Sequence, residues 1–166
     1  MFCMDFELVS SLVYPALAVL GLLMGSYLNA WVWRVHAGQW RWGGRSMCIY
    51  CRRQLAWYEN IPLVSFVVLR GQCHTCRGVI PVSYFLTELG VALLFVGLTY
   101  WHLDILVFDQ WHYLRDLVFA ILLVVIFLYD LKYYEILPGV VWAGSVLALI
   151  FNYGALPYSP LSLFVG

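Results

Sequence analysis

The sequence predicts an all-α polytopic membrane protein with about four transmembrane helices and one small loop domain. The 166-residue chain is 64% apolar and only 11% charged, whereas a soluble domain usually carries about 25% charged residues. Four apolar segments follow one another along the chain, and seven of the nine Lys and Arg residues fall between the first two segments. A surface so poor in charge requires lipid as its solvent.

The four segments are expected to be helices at residues 9–33, 81–101, 113–129 and 138–153. The first is long enough to cross about 30 Å of hydrocarbon. It lacks a basic flank and a small-residue cleavage site, so we expect it to be retained rather than removed as a secretory signal. Trp and Tyr cluster near the ends of the segments, where rings with one polar edge favour the headgroup region.

The distribution of cations predicts the orientation of the chain and divides it into three regions. Residues 1–33 form the first transmembrane helix, residues 34–80 the loop domain, and residues 81–166 the remaining transmembrane helices. Loops rich in Lys and Arg stay in the cytoplasm, so we expect the loop domain there and the N-terminus outside. The third helix then runs inward and brings Asp130 to the cytoplasmic membrane face, on the same side as the loop domain.

The loop domain contains two CxxC pairs separated by 21 residues, formed by Cys48, Cys51, Cys73 and Cys76. Two such hooks predict a tetrahedral zinc site in a zinc-ribbon-like loop, and four protein ligands make its role structural. The alternatives are two disulfides or four unconnected thiols, and a cytoplasmic location disfavours disulfides. A region of about 45 residues also buries too little core to fold without a metal ion or disulfides. We find no internal repeat.

Several motifs occur in a fixed order around the hooks. The run from Gly25 to Asn29 comes first, followed by the first hook, the run from Trp57 to Leu63, the run from Leu69 through the second hook, and Glu88 in the second helix. In this order they resemble the prepilin leader peptidases of type IV pilus and type II secretion systems. The resemblance is dense over about residues 21–95 and looser through Asp130.

The resemblance implies a multi-pass aspartic endopeptidase of the bacterial inner membrane. Members cut the leader from prepilins and pseudopilins at the cytoplasmic membrane face, and many also N-methylate the new N-terminus with S-adenosylmethionine. That cofactor rests on the resemblance alone, because the sequence shows no glycine-rich turn between a strand and a helix. The expected partners are a prepilin or pseudopilin helix and membrane lipid, and we expect no nucleic acid.

Asp130 matches the first of the two catalytic aspartates of the family. A charged side chain near a helix end also has a simpler interpretation, in which it reaches headgroup water. The second family aspartate lies in a GxGD motif, and these 166 residues contain none. The family's Leu-Pro-Asp also reads Leu137-Pro138-Gly139 here. Aspartic peptidases need two carboxyls, one to activate water and one to polarise the carbonyl.

Three explanations for the missing carboxyl follow. The first explanation is that the chain is a truncated form of a longer enzyme. Alternatively, a homodimer brings two copies of Asp130 together, or the protein is a noncatalytic adaptor that binds pilin-like helices. A methyltransferase-only relic is a further alternative.

The sequence also offers polar candidates for substrate contact, namely Glu88, Glu59 and Asn29. The simpler role of Asn29 is hydrogen bonding to a neighbouring helix, and that of Glu88 is polar packing. The simpler role of the Gly21–Gly25 GxxxG is close helix packing.

Overall fold

The computed structural model describes residues 2–38, 46–105 and 109–155. Its contacts divide the chain into two compact units, Met1–Trp101 and His102–Gly166. The first unit holds the loop domain between two long helices, and the second holds the remaining helices.

Five α-helices make up most of the described chain: α1 (Phe2–His36), α2 (Val64–Val68), α3 (Val82–Tyr100), α4 (Gln110–Tyr133) and α5 (Pro138–Ala155). A short 3-10 helix, Trp57–Asn60, precedes α2, and a π-helical turn, Trp101–Ile105, follows α3. Within the described ranges, extended backbone pairing is limited to two isolated bridges in the loop domain. The predicted all-α class is therefore confirmed.

The two long helices of the first unit, α1 and α3, pack directly on each other. A Cβ atom on Gly25 would lie 2.7 Å from the Cα of Glu88, and one on Gly21 would lie 2.6 Å from the Cα of Ala92. Only glycine permits such an approach of two backbones. The GxxxG of α1 therefore serves close antiparallel packing within the chain.

Two of these helices are long and apolar enough to cross a membrane, over Ser11–His36 and Val82–Leu103. Helices also form where the sequence predicts the third and fourth spans. The apolar part described in α5 is shorter, Pro138–Phe151, and α4 carries two charged residues near each end. Two helices are thus candidate membrane spans, and the prediction of about four spans stays a prediction.

The second unit is organised by the packing of α4 on α5. Asp109 begins α4 by accepting the N–H of Trp111 at 2.8 Å, as an N-terminal capping residue does. The ring of Phe151 in α5 then packs against Trp111 and Phe119, with ring centroids 5.0 and 6.2 Å away. These aromatic contacts join one end of α4 to α5.

Candidate metal centre and active-site residues

The two cysteine hooks have the same local backbone fold. In the first hook, the N–H of Cys48 donates to the carbonyl of Arg53 at 2.9 Å, and the N–H of Arg52 donates to the carbonyl of Cys48 at 3.0 Å. The same two bonds recur 25 residues later around Cys73, with the same lengths. Each hook is therefore closed by a matching pair of backbone bonds.

This shared fold is not evident in the sequence, because the hooks share only the pattern CxxCR. The shared arginines, Arg52 and Arg77, have φ angles of 55° and 58°. This left-handed conformation favours glycine, so neither turn carries the residue that would have marked it as a turn. The repetition lies in the backbone path rather than in the side chains.

The hooks bring the four cysteine sulfur atoms within 4.8 Å of one another. All four are free cysteines, and the sulfurs of Cys48 and Cys76 are 3.8 Å apart. Zinc–sulfur bonds of about 2.3 Å in a tetrahedron place neighbouring sulfurs about 3.8 Å apart. The cluster thus has the size of a tetrathiolate metal centre, and it is the candidate metal site of the loop domain.

The environment of Cys73 favours the thiolate that binds metals. The backbone N–H groups of Cys76 and Thr75 donate to its sulfur and lower its pKa to about 6. The positive charge of the neighbouring Arg53 guanidinium also interacts with this thiolate. Burial and the neighbouring cysteines raise the pKa of Cys76 to about 11. Because the thiolate and not the thiol is the metal ligand, Cys73 is the member of the second hook that is best prepared to bind an ion.

Arg53 links the metal centre to the buried Glu59, a connection that the sequence analysis missed. Its Nη2 donates to Oε1 of Glu59 at 2.7 Å, and the N–H of Ala56 donates to Oε2 at 2.7 Å. The Arg53 guanidinium holds the pKa of the Glu59 carboxyl below its usual 4.5, and Glu59 raises the pKa of Arg53. The loop contains seven cations, and Glu59 is its only acid. This composition was the sequence signal that could have predicted an ion pair at Glu59.

Glu59→Gln is expected to lower the melting temperature of the protein at pH 7, because Arg53 loses its charged partner. A carboxyl with a lowered pKa stabilises the fold fully above its unfolded value, near pH 4.5, and the stabilisation is lost as the pH falls through the folded value. The gap in melting temperature between the two proteins should therefore stay constant from pH 7 to about pH 5 and narrow below about pH 4. Thermal unfolding followed by tryptophan fluorescence measures it, and a gap that already closes above pH 5 contradicts the lowered pKa.

Glu88 connects α3 to a strained turn of the loop domain. Leu63 has φ 58° and ψ −47°, and the N–H of Val64 donates to the carbonyl of Pro62 at 2.6 Å. These are the features of a γ-turn that is rare in proteins. The N–H of Leu63 donates to Oε2 of the buried Glu88 at 2.8 Å, and the hydroxyl of Ser26 donates to the same carboxylate.

Glu88→Ala is expected to destabilise the first unit by about 1–3 kcal/mol, because two donors lose their acceptor. Glu88→Gln keeps a carbonyl oxygen at the same place and should cost less. The exposed Glu135→Ala is the matched control and should stay within about 0.5 kcal/mol of the native protein. Thermal unfolding in detergent and the rate of proteolysis at residues 57–70 measure the effect. Equal stability of Glu88→Ala and the native protein would contradict this role.

Asn29 lies fully buried in α1 near Glu88. Its Nδ2 donates to the carbonyl of Tyr84 at 3.3 Å, which extends the antiparallel register set by the glycines. Together with Glu59 and Glu88, it has a hydrogen-bond partner inside the chain. Contact of any of these three residues with substrate stays a prediction.

A cavity of about 720 Å³ lies between the loop domain and the adjoining ends of α1 and α3. Its walls include five aromatic residues and three charged ones: Trp33, Tyr50, Phe66, Tyr84, Phe85, Arg34, Glu59 and Glu88. Sites for small organic ligands usually measure about 300–1,000 Å³ and combine apolar walls with a few polar groups. The cavity therefore has the size and the lining of a ligand site.

Asp130 lies three residues before the end of α4, with an exposed side chain. The helix ends where Tyr134 adopts a φ of 55° and donates its N–H to the carbonyl of Asp130 at 2.8 Å. The carboxylate is thus presented at a helix end, as the sequence predicts. Asp130 belongs to the second unit and the cysteines to the first, so their position on one membrane face stays a prediction.

Comparison with known proteins identifies the family. Residues 19–103 match the family model of the bacterial peptidase A24 N-terminal domain. The chain belongs to this family, and the resemblance to prepilin leader peptidases is confirmed. The matched residues include the second half of α1, the complete loop domain and all of α3.

The relatives with curated names point the same way. A prepilin leader peptidase/N-methyltransferase of Myxococcus xanthus is 49% identical over 79 residues, which cover 48% of this chain and 24% of the relative. The protein of the same name from Neisseria gonorrhoeae is 34% identical over 121 residues, covering 58% and 42%. The one from Vibrio cholerae is 34% identical over 80 residues, covering 43% and 32%. The matches thus span less than half of each relative, and no solved structure matches the chain.

Proposed function

We propose that this protein takes part in prepilin processing as an aspartic endopeptidase of the bacterial inner membrane. It would cleave the leader of a prepilin or pseudopilin at the cytoplasmic membrane face. The family match over residues 19–103 carries the proposal, because the relatives that share this region are named prepilin leader peptidases. The exposed carboxylate of Asp130 at the end of α4 supplies the first reactive group.

Cleavage requires a second carboxyl in addition to Asp130. One carboxylate takes a proton from the attacking water, while a protonated partner donates to the carbonyl oxygen of the scissile bond. No covalent intermediate forms on the protein. A second copy of the chain or a GxGD segment would provide the partner, and without either the protein acts as an adaptor that holds pilin-like helices.

The test is leader cleavage in vesicles that contain the purified full chain and a model prepilin. We expect release of the leader by the native protein, loss of release in Asp130→Asn, and retention in the control Glu135→Gln. Cleavage that survives Asp130→Asn would remove Asp130 from the mechanism. If the native chain binds the prepilin without cutting it, the result favours the adaptor.

The four cysteines of the loop domain are proposed to hold one structural zinc ion. The size of the sulfur cluster and the lowered pKa of Cys73 support this assignment. Zinc with four thiolate ligands has no open position for substrate, so it would stabilise the loop domain rather than react. The loop then presents the walls of the 720 Å³ cavity.

A second proposed activity is N-methylation, with S-adenosylmethionine in that cavity. The relatives are named N-methyltransferases as well as peptidases, and the cavity has the size of a site for such a ligand. When bound, S-adenosylmethionine supplies the methyl group.

Ala30→Trp places a large side chain in the cavity and is expected to weaken binding of labelled S-adenosylmethionine at least about tenfold. Leu93→Trp, on the exposed side of α3, should not weaken binding. Equal binding by both variants would place the cofactor elsewhere.

A further inference from the structure

We propose that α2 is an interfacial helix whose valine face contacts the lipid of the membrane leaflet beside the loop domain. Val64, Val67 and Val68 are 54%, 65% and 72% exposed. Residues spaced by three and four positions lie on one side of a helix, so the three valines form a single apolar face. The inference does not depend on the peptidase activity of the protein.

The opposite side of α2 is fixed against the rest of the first unit. The Phe66 ring packs against the Phe85 ring of α3, with centroids 5.3 Å apart. A Cβ on Gly71 would lie 3.2 Å from the Phe66 ring, so the turn after α2 closes over the same side chain. Ser65 and Leu69 line the cavity. The valine face therefore points away from the protein and cannot rotate inward without breaking these contacts.

The contacts with α3 place α2 level with the first turns of a membrane-spanning helix. Phe85 is three residues into α3 and Glu88 is six residues in, about 4.5 and 9 Å from its start. Side chains on a helix lean toward its N-terminus, so Phe66 and Leu63 meet α3 near its first turn. The apolar span begins at Val82. Consequently, α2 lies beside the beginning of that span.

The length of α3 locates this level at the boundary of the hydrocarbon. Tyr100 and Trp101 end the helix with exposed rings, which favour the opposite headgroup region. Twenty residues of helix measure about 30 Å, the thickness of the hydrocarbon core. Counting back from Trp101, the near boundary falls at Pro81. An apolar face at this height meets acyl chains, whereas in water it would form an exposed apolar patch.

The residues on either side of α2 fit the same position. Trp57 and Tyr58 in the neighbouring 3-10 helix are exposed, and such rings favour the headgroup region. Arg70 lies two residues after the end of α2 with its side chain exposed, and a cation there is attracted to anionic lipid. The partner of this surface is therefore a phospholipid leaflet, with acyl chains against the valines and headgroups around the aromatic and cationic side chains.

The test uses the full chain in vesicles that contain a phospholipid with a photoreactive diazirine near the glycerol end of one acyl chain. After irradiation, mass spectrometry quantifies lipid adducts on each peptide. The peptide containing α2 should carry adducts at a level within about twofold of the lipid-facing peptide around Leu86, and at least about fivefold above the first-hook peptide. The first hook is a matched control, because its Ile49 and Tyr50 are 45% and 61% exposed.

A second measurement separates lipid from a protein partner. Hydroxyl-radical footprinting of the same vesicles should leave the three valines unmodified and should modify Tyr50. Val67→Ser combined with Val68→Ser should lower the α2 adducts, while unchanged protease resistance of the first-hook peptide shows that the loop domain remains folded. Adducts on α2 no higher than on the first hook, or valines open to radicals in vesicles of the protein alone, would overturn the proposal.

Discussion

Replacement of Cys73 by Ser is expected to release the metal and unfold the loop domain. Cys73 is buried, accepts two backbone N–H groups and lies near the charge of Arg53, so its loss removes a proposed ligand and alters the surroundings of the Arg53–Glu59 pair. Binding of structural zinc contributes about 10–16 kcal/mol to the folding of small zinc domains. We expect zinc content to fall from about one ion per chain to less than about 0.2, and residues 46–80 to become rapidly cleaved by protease.

Cys3→Ser is the matched control for this substitution. Cys3 is the fifth cysteine of the chain and lies outside both hooks, so its replacement should change neither zinc content nor protease resistance. Elemental analysis and limited proteolysis of the two variants give the comparison. Retention of a full zinc ion by Cys73→Ser would show that Cys73 is not a ligand.

Replacement of Gly25 by Ala is expected to force α1 and α3 apart. The new Cβ would lie 2.7 Å from the Cα of Glu88, and backbone atoms cannot move aside as a flexible side chain can. Overpacking of this kind costs about 1–3 kcal/mol. The shift would also disturb the hydrogen bond from Leu63 to Glu88 and the packing of α2 on α3. We therefore expect loss of thermal stability together with faster proteolysis near residue 63.

Gly90→Ala provides the control in the neighbouring helix. A Cβ on Gly90 meets no atom within 4 Å, and alanine favours a helix over glycine by up to about 1 kcal/mol. Gly90→Ala should therefore be neutral or stabilising in the same unfolding assay. If both variants behave alike, the close contact between α1 and α3 does not exist in the membrane.

Features with a local signature were predictable from the sequence. The spacing of Cys48, Cys51, Cys73 and Cys76 predicts their convergence, because each CxxC turn is a local structure and only the meeting of two turns is long-range. The GxxxG of α1 likewise predicts close packing. The spans over α1 and α3 follow from length and hydropathy.

Features that depend on distant partners were not predictable. The γ-turn at Leu63 is stabilised by Glu88, 25 residues away, and no local sequence pattern predicts such a turn. The five residues of α2 are too few to show helical periodicity. The predicted third segment, 113–129, became Gln110–Tyr133, because the cap at Asp109 and the left-handed Tyr134 lie beyond the apolar run.

We propose that the two hooks form one metal centre that folds the loop domain onto α1 and α3. The most direct measurement is zinc content of the purified native protein combined with a count of alkylated thiols under native conditions. We predict about one zinc ion per chain and alkylation of Cys3 alone among the five cysteines. Protein without bound metal and with all five thiols open to alkylation would contradict the claim.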